Sequence, residues 1–218
     1  MTDDSYKIIF LDINNIIEEE NVELKDNDEL KPEIKEKFKI SSSIIDTFIE
    51  NHILVDVEKE EKFSYHITSF IHRIDKNKIK TYKFYLFRQI VEDINIDFNA
   101  CLIILNEEKE LPIELLNKIM AIISENKIYN LKISFLGYYK IKDSIITTEG
   151  NIEQLFNEKN ILTDYKYTKV DLNNQDINEV KKINDCIEEL MKEIYEENIG
   201  KKRKDKGDNN ADSNCILI

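Results

Sequence analysis

The chain has 218 residues, of which 41% are hydrophobic and 34% charged, enough apolar mass for the core of one large domain beneath a heavily charged surface. No apolar run reaches the ~18 residues of a membrane-spanning helix, and the opening "MTDDSYKIIF" has neither a basic start nor an apolar stretch after it, so neither a transmembrane helix nor a signal peptide is expected. The formal charge is −13: the segment from Gly200 onward holds five Lys/Arg and three Asp, a net +2, and leaves the body at −15, a balance that excludes nucleic acid as the body's partner.

In chain order, "YKIIFLDI" (6–13) is an apolar, β-branched run of strand length. A charged, loop-like stretch follows at about 14–40, with room for a short helix after Pro32. "SSSIIDTFIEN" (41–51) opens on three candidate N-caps and spaces Ile44, Ile45, Phe48 and Ile49 as a helix does. "KFSYHITSFIHRI" (62–74) and "KIKTYKFYLF" (78–87) are rich in aromatic and β-branched residues, and "DKNK" between them reads as a hairpin turn. "NACLIILN" (99–106) is a continuous apolar strand of the kind buried on both faces. Pro112 then stands where a first helical residue belongs, before a face of Ile113, Leu116, Met120 and Ile123. "YNLKISFLG" (129–137) is another buried strand, "NIEQLFNEK" (151–159) a short helix and "DYKYTKVDL" (164–172) a strand. The helix over 176–198 has the clearest stripe, Ile177, Val180, Ile183, Ile187, Leu190, Met191 and Ile194, with Gly200 placed to end it. Strands alternating with helices predict a three-layer α/β fold around a mostly parallel, six-stranded sheet, with the hairpin adding one antiparallel edge strand. Residues 1–199 form one domain, and 200–218 a disordered tail.

The tail carries the most specific signal. The final residues Cys215-Ile216-Leu217-Ile218 match the C-a-a-X prenylation signature, and a terminal aliphatic residue leans toward geranylgeranyl over farnesyl. One lipid chain holds a protein to a membrane only marginally, so a second signal is needed. Lys201, Lys202, Arg203 and Lys204 supply it, each worth roughly 1 kcal/mol beside an anionic leaflet. Taken alone, the basic run also fits a nuclear import signal. The expectation is a protein on the cytosolic face of a membrane, lipidated at Cys215 by a prenyltransferase and holding a protein partner. Cys101, Cys186 and Cys215 lack the spacing of a disulfide framework or zinc site; Cys101 and Cys186 read as small core residues.

The order of elements, with a long last helix, a basic tail and a CaaX ending, resembles a Ras-superfamily small GTPase of the Rab and Ras branches. "SYKIIFLDI" resembles the first strand of that family, "SSSIIDTFIEN" its first helix, and "FSYHITSFIHRIDKNKIKTYKFYLF" its second and third strands. "FNACLIILNEEKELPIELLNKIMAIIS" resembles the fourth strand and its helix, and "YKYTKVDLNNQDINEVKKINDCIEELMKEI" the last strand and helix. The resemblance implies a P-loop NTPase fold, GTP or GDP with magnesium as cofactor, and a phosphate-binding loop after the first strand.

The chain departs from that pattern where the chemistry lies. Its four glycines are Gly137, Gly150, Gly200 and Gly207, so no glycine-rich loop can cradle a phosphate near the first strand. By the resemblance, Ser41 stands in place of the phosphate-contacting lysine, and Ser42 alone matches in type, at the magnesium-binding hydroxyl. "RQIVED" lacks the glycine of the D-x-x-G element, and Tyr138-Tyr139-Lys140-Ile141 stands in place of the guanine-reading N-K-x-D. The expectation is a pseudo-GTPase with no catalytic residue, no metal and no bound cofactor. The alternatives are a divergent GTPase that binds phosphate at helix N-termini, and a prenylated longin-type SNARE, whose sheet is antiparallel. His52, His66 and His72 read as hydrogen-bonded or solvated residues, the tyrosines as core, and the runs "EEEN", "EKEEK" and "EENI" as solvated faces.

Overall fold

A computed structural model describes residues 5–16, 32–52, 54–62, 65–75, 78–88, 98–125, 131–158, 164–174 and 176–208. The strands are β1 (Tyr6–Asp12), β2 (Val55–Glu61), β3 (Tyr65–Asp75), β4 (Lys78–Phe87), β5 (Ala100–Asn106), β6 (Lys132–Tyr139) and β7 (Tyr165–Asp171). The helices are α1 (Pro32–Lys37), α2 (Lys39–Asn51), α3 (Ile113–Glu125), α4 (Glu149–Glu158) and α5 (Ile177–Asp208). One sheet holds all seven strands in the order β2-β3-β4-β1-β5-β6-β7. Neighbours from β4 to β7 pair parallel, and β3 pairs antiparallel with both β2 and β4. β3 is therefore the one strand that runs against the rest.

Each face of the sheet is covered. On one face Ile8, Phe10, Phe84 and Leu102 meet Ile44, Ile45 and Phe48 of α2 and Ile187, Leu190 and Ile194 of α5. On the other, Ile9, Leu11, Ile103 and Phe135 meet Leu116 and Ile119 of α3 and Ile152, Leu155 and Phe156 of α4. The uninterrupted apolar runs of β1 and β5 follow from this sandwich, since side chains on both faces of a central strand leave water. Each fully buried Leu, Ile or Phe contributes about 1.5–3 kcal/mol relative to exposure.

Three expectations are corrected. The sheet has seven strands, not six: β2, "VDVEKEE", overlaps the charged run "EKEEK", expected as a solvated face, and all seven of its residues are exposed. It is a strand because it pairs with β3, not because it buries anything. The antiparallel strand β3 consequently lies one in from the edge, and β2 forms the edge itself. The serines do not cap α2. That helix starts at Lys39, directly after α1, with Phe38 as its N-cap and no capping side-chain bond. Finally, α5 does not stop at Gly200 but continues through the basic run to Asp208. Smaller differences concern the stripes: Ile113 and Ile177, at the first positions of α3 and α5, are exposed.

The hairpin turn at 76–77 and most of "RQIVED" lie outside the described residues, as do 17–31 of the insert. Among the described residues no helix is long and apolar enough to cross a membrane.

Candidate functional site

In open α/β sheets, ligands bind beyond the carboxyl ends of the strands, where the chain switches direction across the sheet. Here the switch lies beside β1: the chain leaves β1 toward β4 on one side, and β5 continues toward β6 on the other. The residues at this point are Asp12 to Asn15 after β1, Asn106 and Glu107 at the end of β5, and Tyr138 at the end of β6.

Asp12 has no exposed surface. Its Oδ2 accepts a hydrogen bond from Ser41 Oγ in the first turn of α2 and another from Asn15 Nδ2 at 3.0 Å, while Oδ1 has no hydrogen-bond partner among the described residues. Ser41 reaches it because it lies on the helix stripe that also buries Ile44, Ile45 and Phe48. Burial pushes the Asp12 carboxyl above the ordinary carboxylate range; the bonds from Ser41 and Asn15 and the charge of Lys109 pull it back only in part. Tyr138 closes the cluster. Its ring sits in the core with 2% exposure, and the side chains of Asn15 and Asn106 lie on the side of its hydroxyl. Burial raises that hydroxyl's pKa, so it stays protonated. Asn14 Oδ1 accepts from the Asn106 amide at 2.7 Å and ties the two strand ends together.

A second polar network fills the other face of the same edge. Glu107 is also fully buried. Its Oε1 accepts from Tyr167 Oη at 2.6 Å and its Oε2 lies 2.5 Å from Lys169 Nζ. Gly137 between them is required by space: a Cβ there would stand 2.7 Å from Glu107 Oε1. The Glu107 carbonyl accepts from the amides of Ile146 and Thr147, and the Glu108 carboxylate from those of Lys140 and Ile141. The loop after β6 is thereby held against the sheet by hydrogen bonds.

The residues singled out in sequence divide as follows. Ser42 is half-buried beside Ser41, and its amide donates to the Phe38 carbonyl in the helix. It is not part of the Asp12 cluster, which Ser41 joins instead. Tyr139 points away from Tyr138, with Lys169 Nζ 5.0 Å from its ring centre. Lys201, Lys202, Arg203 and Lys204 lie along the last part of α5, and Cys215 lies outside the described residues. Burial pushes the thiols of Cys101 and Cys186 up, to about 12 and about 11, which makes both inert core residues.

His52 braces α2 against α5. His52 Nδ1 meets the Phe48 carbonyl and Nε2 meets Glu188 Oε1 on α5, each at 2.6 Å. Both ring nitrogens face oxygen atoms. His72 stands edge-on to His52 with ring centres 6.2 Å apart, and burial and the neighbouring His52 hold its pKa below the ordinary histidine value. Among the described residues no group of three or more His, Cys, Asp or Glu could hold a metal.

Comparison with known proteins adds no relative: no family model matches the chain and no curated protein matches it.

Proposed function

We propose that the chain is a membrane-tethered protein-binding module, built on a small-GTPase-like sheet that has given up its nucleotide. The observation that carries this reading is Asp12. The start of a helix beside a strand end is an anion site, because unpaired amides and the helix dipole favour negative charge. Here that charge is supplied from within, by a buried carboxylate bonded to Ser41 and Asn15. A phosphate brought to the same place meets like charge in a desolvated setting, and no glycine precedes Gly137 to wrap it. The residues present do not fit a guanine nucleotide with magnesium, and Ser42 alone does not restore the fit.

Support for the small-GTPase-like reading comes from the chain order and from a parallel sheet reversed only at β3, which also favours it over a longin-type body. Support for the tether comes from Cys215 and the basic run, with a prenyltransferase as the modifying partner and the cytosolic face of a membrane as the place of work. The test of the lost nucleotide uses the full chain. Thermal-shift titration with GTP and GDP plus magnesium should show no stabilisation, and denatured protein should release no guanine nucleotide on ion-exchange chromatography. A stoichiometric nucleotide peak would overturn the proposal and leave a divergent GTPase.

A further inference from the structure

A strand that buries nothing is held in place at the sheet edge by other means. All seven residues of β2 are exposed, and beyond its ladder to β3 it is fixed by two ion pairs on one face. Lys59 Nζ lies 2.7 Å from Asp46 Oδ1 on α2, and Glu61 Oε1 lies 2.6 Å from the Arg88 guanidinium, itself 3% exposed and also bonded to the Lys62 carbonyl. These pairs neutralise the face that carries Lys59 and Glu61. Strand alternation puts Glu58 and Glu60 on the opposite face, across from Ser69 and Ile67. There Glu60 has Lys62 Nζ at 3.3 Å, both exposed, and Glu58 forms no ion pair among the described residues. At the start of the strand, Val55 and Val57 are 55% and 40% exposed.

We propose that the outer edge of β2 docks an extended segment of a partner protein, with Lys or Arg at alternate positions beside Glu58 and Glu60 and an apolar residue beside Val55. Among the described residues β2 pairs with β3 alone, so its outer backbone edge can take an added strand, and the acidic side chains select its charge. A second copy of the chain does not fit. Each β2 carries four carboxylates against one lysine, and an antiparallel pairing centred on Glu58 sets Glu58 against itself and Asp56 against Glu60. Like charges directly opposite destabilise a strand pair. The shift in register between Val55 and Glu58, with Asp56 at a φ of 52°, further restricts the straight edge to the acidic half.

This inference rests on the reading of the chain as a protein-binding module, but its test does not involve nucleotide, so either can fail alone. The probes are two short labelled peptides, one alternating lysine with valine and one alternating glutamate with valine, titrated into the full chain by fluorescence anisotropy. Hydrogen exchange maps the contact. The lysine peptide should bind at least tenfold tighter, weaken with salt, and slow exchange at 58–61. The exposed double variant Glu58→Lys/Glu60→Lys should reverse the preference, which a merely structural role for β2 does not predict. Equal binding of the two peptides, no binding, protection elsewhere, an unchanged preference in the variant, or a dimer in sedimentation would each overturn the proposal.

Discussion

Asp12 shows how one side chain can decide what a site is for. A buried carboxylate costs free energy unless donors surround it, and here the side-chain bonds from Ser41 and Asn15 both fall on one of its oxygens. Its proton is held more tightly in the native state than in the unfolded chain, where it leaves near pH 4. The sign follows: the stability that Asp12 contributes is complete below about pH 4 and is lost as pH rises through its elevated native value. Asp12→Asn does not ionise, so between pH 4 and 7 the difference in denaturant midpoint between the two proteins should move steadily in favour of the variant. A difference that stays flat would mean the native carboxyl ionises as it does in the unfolded chain. Ser41→Ala, by contrast, should cost about 1–3 kcal/mol at pH 7, because it strips a donor from a buried charge. The signal for Ser41 was present in the sequence, since 41, 44, 45 and 48 form one helix stripe. Asp12 gave no such signal, because an acid at the end of an apolar strand is an ordinary strand terminus until the next helix is known to pack over it.

Among the elements, the strands that bury both faces were legible and the one that buries neither was not. "ACLIILN" and "KISFLGYY" announce themselves by unbroken apolarity, while "VDVEKEE" carries five charges in seven residues and acquires its state from β3. Helix starts were misplaced where one helix runs into another: α1 leads into α2 through Phe38, so no capping side chain marks the boundary. The contact between α2 and α5 is tied by the His52–Glu188 pair, whose His52 side chain is 12% exposed and whose Glu188 is 51% exposed. A double-mutant cycle of His52→Ala and Glu188→Ala should return a coupling of roughly 0.5–1 kcal/mol that shrinks with added salt, the half-exposed glutamate keeping it small. Additive losses would show that the two helices are held by Phe48 and Ile187 and their apolar neighbours alone.

For the molecule as a whole, alternation of strand and helix in the sequence was enough to give the three layers and the parallel sheet, because each amphipathic element has few places to bury its apolar face. Partner and membrane leave no such trace in a core, so they stand on the tail and on the acidic edge. With Cys215 intact and prenylated, the protein should sediment with vesicles containing anionic lipid and be released in part by salt. Cys215→Ser should abolish that sedimentation, and neutralising Lys201, Lys202, Arg203 and Lys204 should weaken it by about 1 kcal/mol per charge removed. Binding by the Cys215→Ser protein as strong as that of the parent would remove the lipid from the account.

The course of α5 gives the molecule a polarity. Near its start, Glu179 accepts from the Asp171 amide at the carboxyl end of β7; near residue 197, Glu197 lies 3.8 Å from Lys132 at the amino end of β6. The helix thus descends from one rim of the sheet to the other and continues for nine residues past Ile199, about 14 Å at the α-helical rise. Anything fastened beyond Asp208 pulls on the rim opposite Asp12 and Glu107. A bilayer engaged there would lie beneath the molecule like a floor, and the sealed rim would face upward, away from the lipid.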